Sequence, residues 1–191
     1  MKKIGIMTTG GDCSGLNTTI HRIMRGAHRR GWRVYGILDG TDGLCVTPPA
    51  VIELTEIMLP IENARLAGSF LHNGRANALN FETAAESGRV EKFRRMLRKS
   101  LNDLALDALI LIGGNGSISL AWANREIYRD LQLICIPKTI DLDIPLTTRT
   151  IGFDSAVQQL TAFCDQLMLT ARSHHRWFVV QAMGRDCGQL A

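Results

Sequence analysis

The chain lacks any long hydrophobic run. Its most apolar stretch, around Ala108 to Ile112, is far too short to cross a bilayer, so a membrane-spanning helix is excluded and no membrane partner is expected. No signal peptide opens it, because the apolar residues after Lys2 and Lys3 are broken by Gly10 and Gly11. Cysteine is sparse and unpatterned. Cys13, Cys45, Cys135, Cys164 and Cys187 form an odd set with no CxxC spacing, which argues against a disulfide framework or a zinc knuckle and fits a reducing, cytoplasmic location. Aromatic residues make up only 6%, and no dense Lys/Arg stripe alternates with them, so nucleic acid is not an expected partner. Internal repeats and low-complexity segments are absent.

What is present is an ordinary globular balance. Over 191 residues, 46% are hydrophobic and 21% charged, which excludes a disordered tail, a collagen and a coiled coil. A chain of this size buries roughly 70% of its unfolded surface and needs no disulfide or metal staple. The net charge is +4, and of the 22 cations only 5 are lysine and 17 arginine. The planar guanidinium fork suits phosphate or carboxylate partners. A charge of +4 is equally compatible with a merely basic surface.

Short apolar runs alternate with helical patterns, the signature of a parallel sheet with crossover helices. Lys3–Thr8, Arg33–Leu38, Ala108–Ile112, Leu133–Ile136 and Trp177–Met183 read as five strands. Leu16, Ile20, Ile23, Met24 and Ala27 recur at helical spacing after the first. Further helices are expected near 88–101, 117–129 and 154–171. In the last, Val157, Leu160, Cys164, Leu167 and Met168 share a face and Asp154 stands where an N-cap is needed. The stretch 40–87, interrupted by Pro48, Pro49 and Pro60, is expected to hold loops and short pieces. A domain boundary is expected near residue 150, after the polar run TIDLDIPLTTR. Beyond Met183 a glycine-rich turn follows, and the sequence stops at Ala191 where a helix is expected to begin, as in a fold cut midway.

Three loops carry candidate chemistry. TTGGDCSGLN, residues 8–17, joins a strand to a helix, with Gly10, Gly11 and Gly15 allowing tight turning beside the unpaired N–H groups of a helix start. It matches neither GxGxxG nor GxxxxGK[ST], so the common dinucleotide and Walker patterns do not apply. GGNGS, residues 113–117, and PKTIDLD, residues 137–143, also follow strands, and loops at the carboxyl ends of parallel strands gather where open α/β sheets bind ligands. Asp141 and Asp143 are candidates for a base and a metal or hydroxyl partner, or are a solvated turn. MGRDCG, residues 183–188, places Arg185 at a strand end, and Arg176 precedes that strand. Either is otherwise a plain surface cation.

GGDCSGLN, GGNGS, PKTIDLD, TIGFDSA, SHHR and MGRDCG occur in the order and approximate spacing of the 6-phosphofructokinases. The chain resembles that family over essentially its whole length, corresponding to about the N-terminal 60% of a family member. The resemblance implies a three-layer parallel-sheet phosphofructokinase-like α/β fold truncated within its second domain. Residues 1–149 would form the donor-binding domain and 150–191 the beginning of the sugar-phosphate domain. It also implies transfer of the terminal phosphoryl group of ATP, with Mg²⁺, to the 1-hydroxyl of fructose 6-phosphate, by a homo-oligomer or beside a full-length family member. The alternatives are pyrophosphate as donor, or a non-catalytic phosphate- or nucleotide-binding relative.

Carried over position by position, Gly11 lines the donor phosphates and Arg75 clamps them, while Gly114, Asn115, Gly116, Ser117 and Lys138 complete the donor site. Asp141 is implied as the base, Asp143 as its aligning partner, and Thr139 as a contact to the phosphate or sugar. Met183, Gly184 and Arg185 are implied to contact fructose 6-phosphate, and Arg176 to reach its 6-phosphate across a subunit interface. Such a set suits phosphoryl transfer, which needs mostly positioning and charge neutralisation. Three positions depart from the family pattern. Asn115 replaces an aspartate that helps to hold Mg²⁺, weakening a hard-cation site. Thr41 stands where an aromatic commonly packs against adenine. Lys138 is typical of pyrophosphate users and Gly116 of ATP users, and some ATP-dependent members combine the two.

Overall fold

The computed structural model describes residues 1–74, 87–184 and 186–191. In chain order the elements are β1 (Lys3–Thr8), α1 (Leu16–His28), β2 (Arg33–Ile37), α2 (Gly40–Gly43), β3 (Val51–Glu53) and α3 (Ile61–Ala64). After them come α4 (Ser87–Leu104), β4 (Ala108–Gly113), α5 (Asn115–Ala123), β5 (Gln132–Thr139), β6 (Ile151–Gly152) and α6 (Phe153–His174). They form a six-stranded sheet of order β3-β2-β1-β4-β5-β6. All its neighbours pair parallel except β3, which runs antiparallel to β2 at one edge.

The two faces of the sheet follow from strand alternation. Successive side chains point to opposite sides. Ile4 and Ile6 of β1, with Ile110 and Ile112 of β4, pack with Leu16, Ile20 and Met24 of α1. Met7 of β1, with Leu109 and Leu111 of β4, packs with Leu97 and Leu101 of α4. The apolar residues of β4 therefore serve both layers, as expected of a central parallel strand buried on both faces. Ile6, Met7, Ile20 and Leu97 have no exposed surface.

Several sequence expectations need correction. The run Trp177–Met183 is not a strand. It pairs with no described strand, and Trp177 and Val179 are 98% and 100% exposed, so among the described residues one side of the run has nothing to pack against, while Phe178 and Val180 opposite are partly covered. β-propensity marks a pleated, half-buried surface, and here that surface is not provided. The expected apolar face of α6 exists but is only partly covered among the described residues: Leu160, Cys164 and Leu167 are half-buried, and Val157 and Met168 are 37% and 49% exposed. Asp154 lies in the first turn of α6 and not at the cap, a position held by Gly152 at φ 104. The helix expected over 117–129 begins at Asn115 and ends at Ala123, followed by a 3₁₀ turn, Arg125–Tyr128. There the Asn124 side chain donates to the Leu120 carbonyl at 2.9 Å, a local bond that competes with helix continuation. The described part of 40–87 does consist of loops and short elements.

Candidate functional site

β1, β4 and β5 are adjacent and parallel, so the loops leaving their carboxyl ends meet at one edge of the sheet. A cavity of about 1040 Å³ opens there. Gly11 lines it from the loop after β1, and Gly114, Asn115, Gly116 and Ser117 line it from the start of α5. Lys138 and Thr139 reach it from the end of β5, with Asp141 and Asp143 from the turn beyond. Met183 and Gly184 also line it. Arg176 does not: it is exposed just past α6, its backbone N–H bound to the Ala171 carbonyl at 3.0 Å. Arg75 and Arg185 lie outside the described residues.

Backbone geometry makes this cavity receptive to anions. The start of α5 carries no acidic side chain and is capped only by Gly114 in an extended conformation, so its unpaired N–H groups border the cavity. Gly113, just before it, has no room for a side chain. A Cβ there would lie 2.6 Å from both Thr9 Oγ1 and Ser117 Cβ. In the first loop Gly10 adopts φ 83, a conformation open to glycine at little cost.

Lys138 holds the first and third loops together. Its side chain is 4% exposed, and its Nζ donates to the Gly11 carbonyl. The next residue, Thr139, accepts a hydrogen bond at Oγ1 from the Asp141 N–H at 3.0 Å, while its carbonyl accepts one from Thr150 Oγ1 at 2.6 Å. These bonds shape the turn carrying the two aspartates. Leu142 between them sits at φ 54, left-handed backbone that costs a leucine on the order of 1–3 kcal/mol. Asp143 Oδ1 is buried with no hydrogen-bond partner among the described residues. A carboxylate oxygen in that condition is poised for a ligand outside the chain, because leaving it unpaired is expensive.

The sequence reading did not single out Thr9, Asp12, Cys13 or Gln181, which also line the cavity. The first three sit within the same glycine-rich string, and that position was their available signal. Burial pushes the Cys13 thiol up to about 11, against the opposing effect of the Lys138 charge, so it is a neutral thiol at physiological pH. Thr9 and Thr41, each 5% exposed, have hydroxyls without partners among the described residues. Each such buried hydroxyl costs about 1–3 kcal/mol until it is satisfied.

Similarity to known proteins agrees with this arrangement. A family model described as phosphofructokinase matches residues 3–191. The ATP-dependent 6-phosphofructokinase of Staphylococcus carnosus is 38% identical over all of this chain, and that of Natranaerobius thermophilus 39%. The chain spans only 56% of the length of either relative. Among solved structures, phosphofructokinase from Saccharomyces cerevisiae superposes over the whole chain with a TM-score of 0.80 at 28% identity, covering 27% of that protein. A pyrophosphate-dependent phosphofructokinase from Marinobacter aquaeolei, 17% identical, shares the fold over 91% of this chain and 42% of its own, with a TM-score of 0.73. Matched by the family model from Lys3 to its last residue, and at more than a third identity by relatives that align with all of it, this chain belongs to the phosphofructokinase family.

Proposed function

We propose that this chain is the donor-binding and proton-abstracting part of a 6-phosphofructokinase, moving the terminal phosphoryl group of ATP to the 1-hydroxyl of fructose 6-phosphate. The observation that carries this reading is the placement of Asp141 and Asp143 on the same cavity as the glycine loops and the start of α5. The donor phosphates lie against Gly11, Gly114, Gly116 and Ser117, with Lys138 and Arg75 supplying positive charge. Asp141 accepts the proton of the attacking hydroxyl, and Asp143 and Thr139 fix its position. Met183, Gly184 and Arg185 hold the sugar phosphate, and Arg176, exposed and outside the cavity, serves a neighbouring subunit of a homo-oligomer. Residues 1–149 act as the donor unit and 150–191 begin the sugar-phosphate unit.

Mg²⁺ fits this donor set. Its octahedral shell takes one or two protein oxygens plus phosphate and water, so Asp143 with its unpartnered oxygen, assisted by Asn115, would hold it, where it would neutralise phosphate charge. Among the described residues no cluster of three or more His, Cys, Asp or Glu forms a preassembled metal cage. No described helix is long and apolar enough to cross a membrane, and all five cysteines are free thiols, which supports a reducing, cytoplasmic setting.

A coupled assay for fructose 1,6-bisphosphate, run with ATP and separately with pyrophosphate, tests the reading. Product formed with ATP and lost in Asp141→Asn is expected. Product formed with pyrophosphate alone would reassign the donor, and binding of ATP without product under any condition would make the chain a non-catalytic relative.

A further inference from the structure

Two consecutive threonines end the first strand region, and the fold treats them differently. Thr8 Oγ1, fully buried, is paired with Ser69 Oγ at 2.7 Å and the His72 carbonyl at 2.5 Å. Thr9, 5% exposed, lines the cavity, and its hydroxyl has no partner among the described residues. Its backbone is held firmly. The Thr9 N–H donates to the Ile112 carbonyl at 3.0 Å, and the next N–H, from Gly10, donates to the Gly74 carbonyl at 3.3 Å. A buried hydroxyl on a fixed backbone does not rotate out to water.

Other polar groups surround the same space. A Cβ on Gly113 would lie 2.6 Å from Thr9 Oγ1 and 3.0 Å from Ser117 Oγ, so the missing side chain leaves both hydroxyls open toward one another. A Cβ on Gly10 would lie 3.5 Å from Ser117 Oγ and 3.6 Å from Lys138 Nζ. The Ser117 hydroxyl, beside the start of α5, thus shares one spot with the Thr9 hydroxyl and an adjoining one with the Lys138 ammonium. Hydroxyl O–H, ammonium N–H and free backbone N–H together suit an oxygen-rich anion.

We propose that the Thr9 hydroxyl, buried and unpartnered beside Ser117, is a ligand to the phosphate chain of the phosphoryl donor. This rests on the cavity being the donor site. Thr9 donates its proton to a phosphate oxygen and is satisfied only when the donor is bound. Valine has the same shape as threonine without the hydroxyl, so Thr9→Val separates the two roles a buried threonine can have.

The test uses the 191-residue chain with tripolyphosphate and with ATP as probes, following affinity by calorimetry and the free chain's melting temperature. Thr9→Val is expected to weaken both ligands about 10-fold, equivalent to about 1.4 kcal/mol, while the melting temperature of the free chain stays equal or rises. Thr9→Ser is expected to restore affinity, and Thr9→Ala to repeat the loss should valine not be accommodated. Unchanged affinity in Thr9→Val, or a lowered melting temperature with unchanged affinity, would overturn the proposal in favour of a packing role. A loss for ATP with none for tripolyphosphate would contradict the assignment to the phosphate chain. Failure of the unaltered chain to bind either probe would instead remove the donor-site reading, and this proposal with it.

Discussion

Lys138 Nζ donates a hydrogen bond to the Gly11 carbonyl, linking the end of β5 to the loop after β1 across the central strand β4. The bond joins the two loops that the resemblance assigns to donor and acceptor, and Lys138 is 4% exposed. Charge-assisted bonds of this kind contribute about 1.5–3 kcal/mol. Lys138→Met keeps the length of the side chain and removes the ammonium. It is expected to lower stability by that order and to weaken ATP binding at least 10-fold, read by urea unfolding and calorimetry on the same protein.

Gly113→Ala is expected to destabilise the chain by about 1–3 kcal/mol through overpacking, because its Cβ would meet Thr9 Oγ1 and Ser117 Cβ at 2.6 Å. The Thr9 and Ser117 side chains are not flexible tips that move away cheaply. Urea unfolding measures the effect. Pairing the change with Ser117→Gly relieves part of it and is expected to recover part of the loss.

Stability is expected to fall above pH 9. Burial raises the Cys13 thiol from 9.0 to about 11 and the Cys45 thiol from 9.0 to about 12. A group whose folded pKa lies above its unfolded value stabilises the fold fully below the unfolded value, and that stabilisation is lost as pH rises through the folded one. For Cys13 the window runs from 9 to about 11, and because the thiol is only partly buried, solvent screening holds the loss at its upper end to about 1 kcal/mol. Urea midpoints at pH 8 and pH 10.5 check this. Cys13→Ala is expected to flatten the decline in part, leaving the contribution of Cys45.

Asn115→Asp is expected to strengthen Mg²⁺-dependent ATP binding, because it adds a carboxylate oxygen at the start of α5, where the asparagine now accepts a bond from Ser119 Oγ at 3.4 Å. The negative charge also suits a helix N-terminus. Calorimetry with and without Mg²⁺ on both proteins decides it. An equal affinity change in both conditions would place residue 115 away from the metal.

Much of this was legible in the sequence, for identifiable reasons. Lys3–Thr8 and Ala108–Ile112 are uninterrupted apolar runs beside glycine turns, and central parallel strands look like that. β3 and β6 were missed because strands of three and two residues carry no readable periodicity. The opposite error at Trp177–Met183 came from taking an apolar run as sufficient, when a strand also needs a neighbour to pair with. At the site, the glycine strings and the TIDLD aspartates were readable because their residue types are themselves the signal. The difference between Thr8 and Thr9 was not. Two identical neighbours face opposite sides, and Thr8 finds its partners in Ser69 and His72, some sixty residues away.

The central claim is that Asp141 takes the proton from the attacking sugar hydroxyl. Asp141→Asn preserves shape and removes basicity, and general-base assistance is worth about 10²–10⁴-fold, or roughly 3–5 kcal/mol. The most direct measurement is kcat for fructose 1,6-bisphosphate formation in the unaltered and Asp141→Asn proteins, with ATP affinity determined in parallel. Turnover reduced by about 10²–10⁴-fold at unchanged ATP affinity is the predicted result, and near-normal turnover in Asp141→Asn would contradict it.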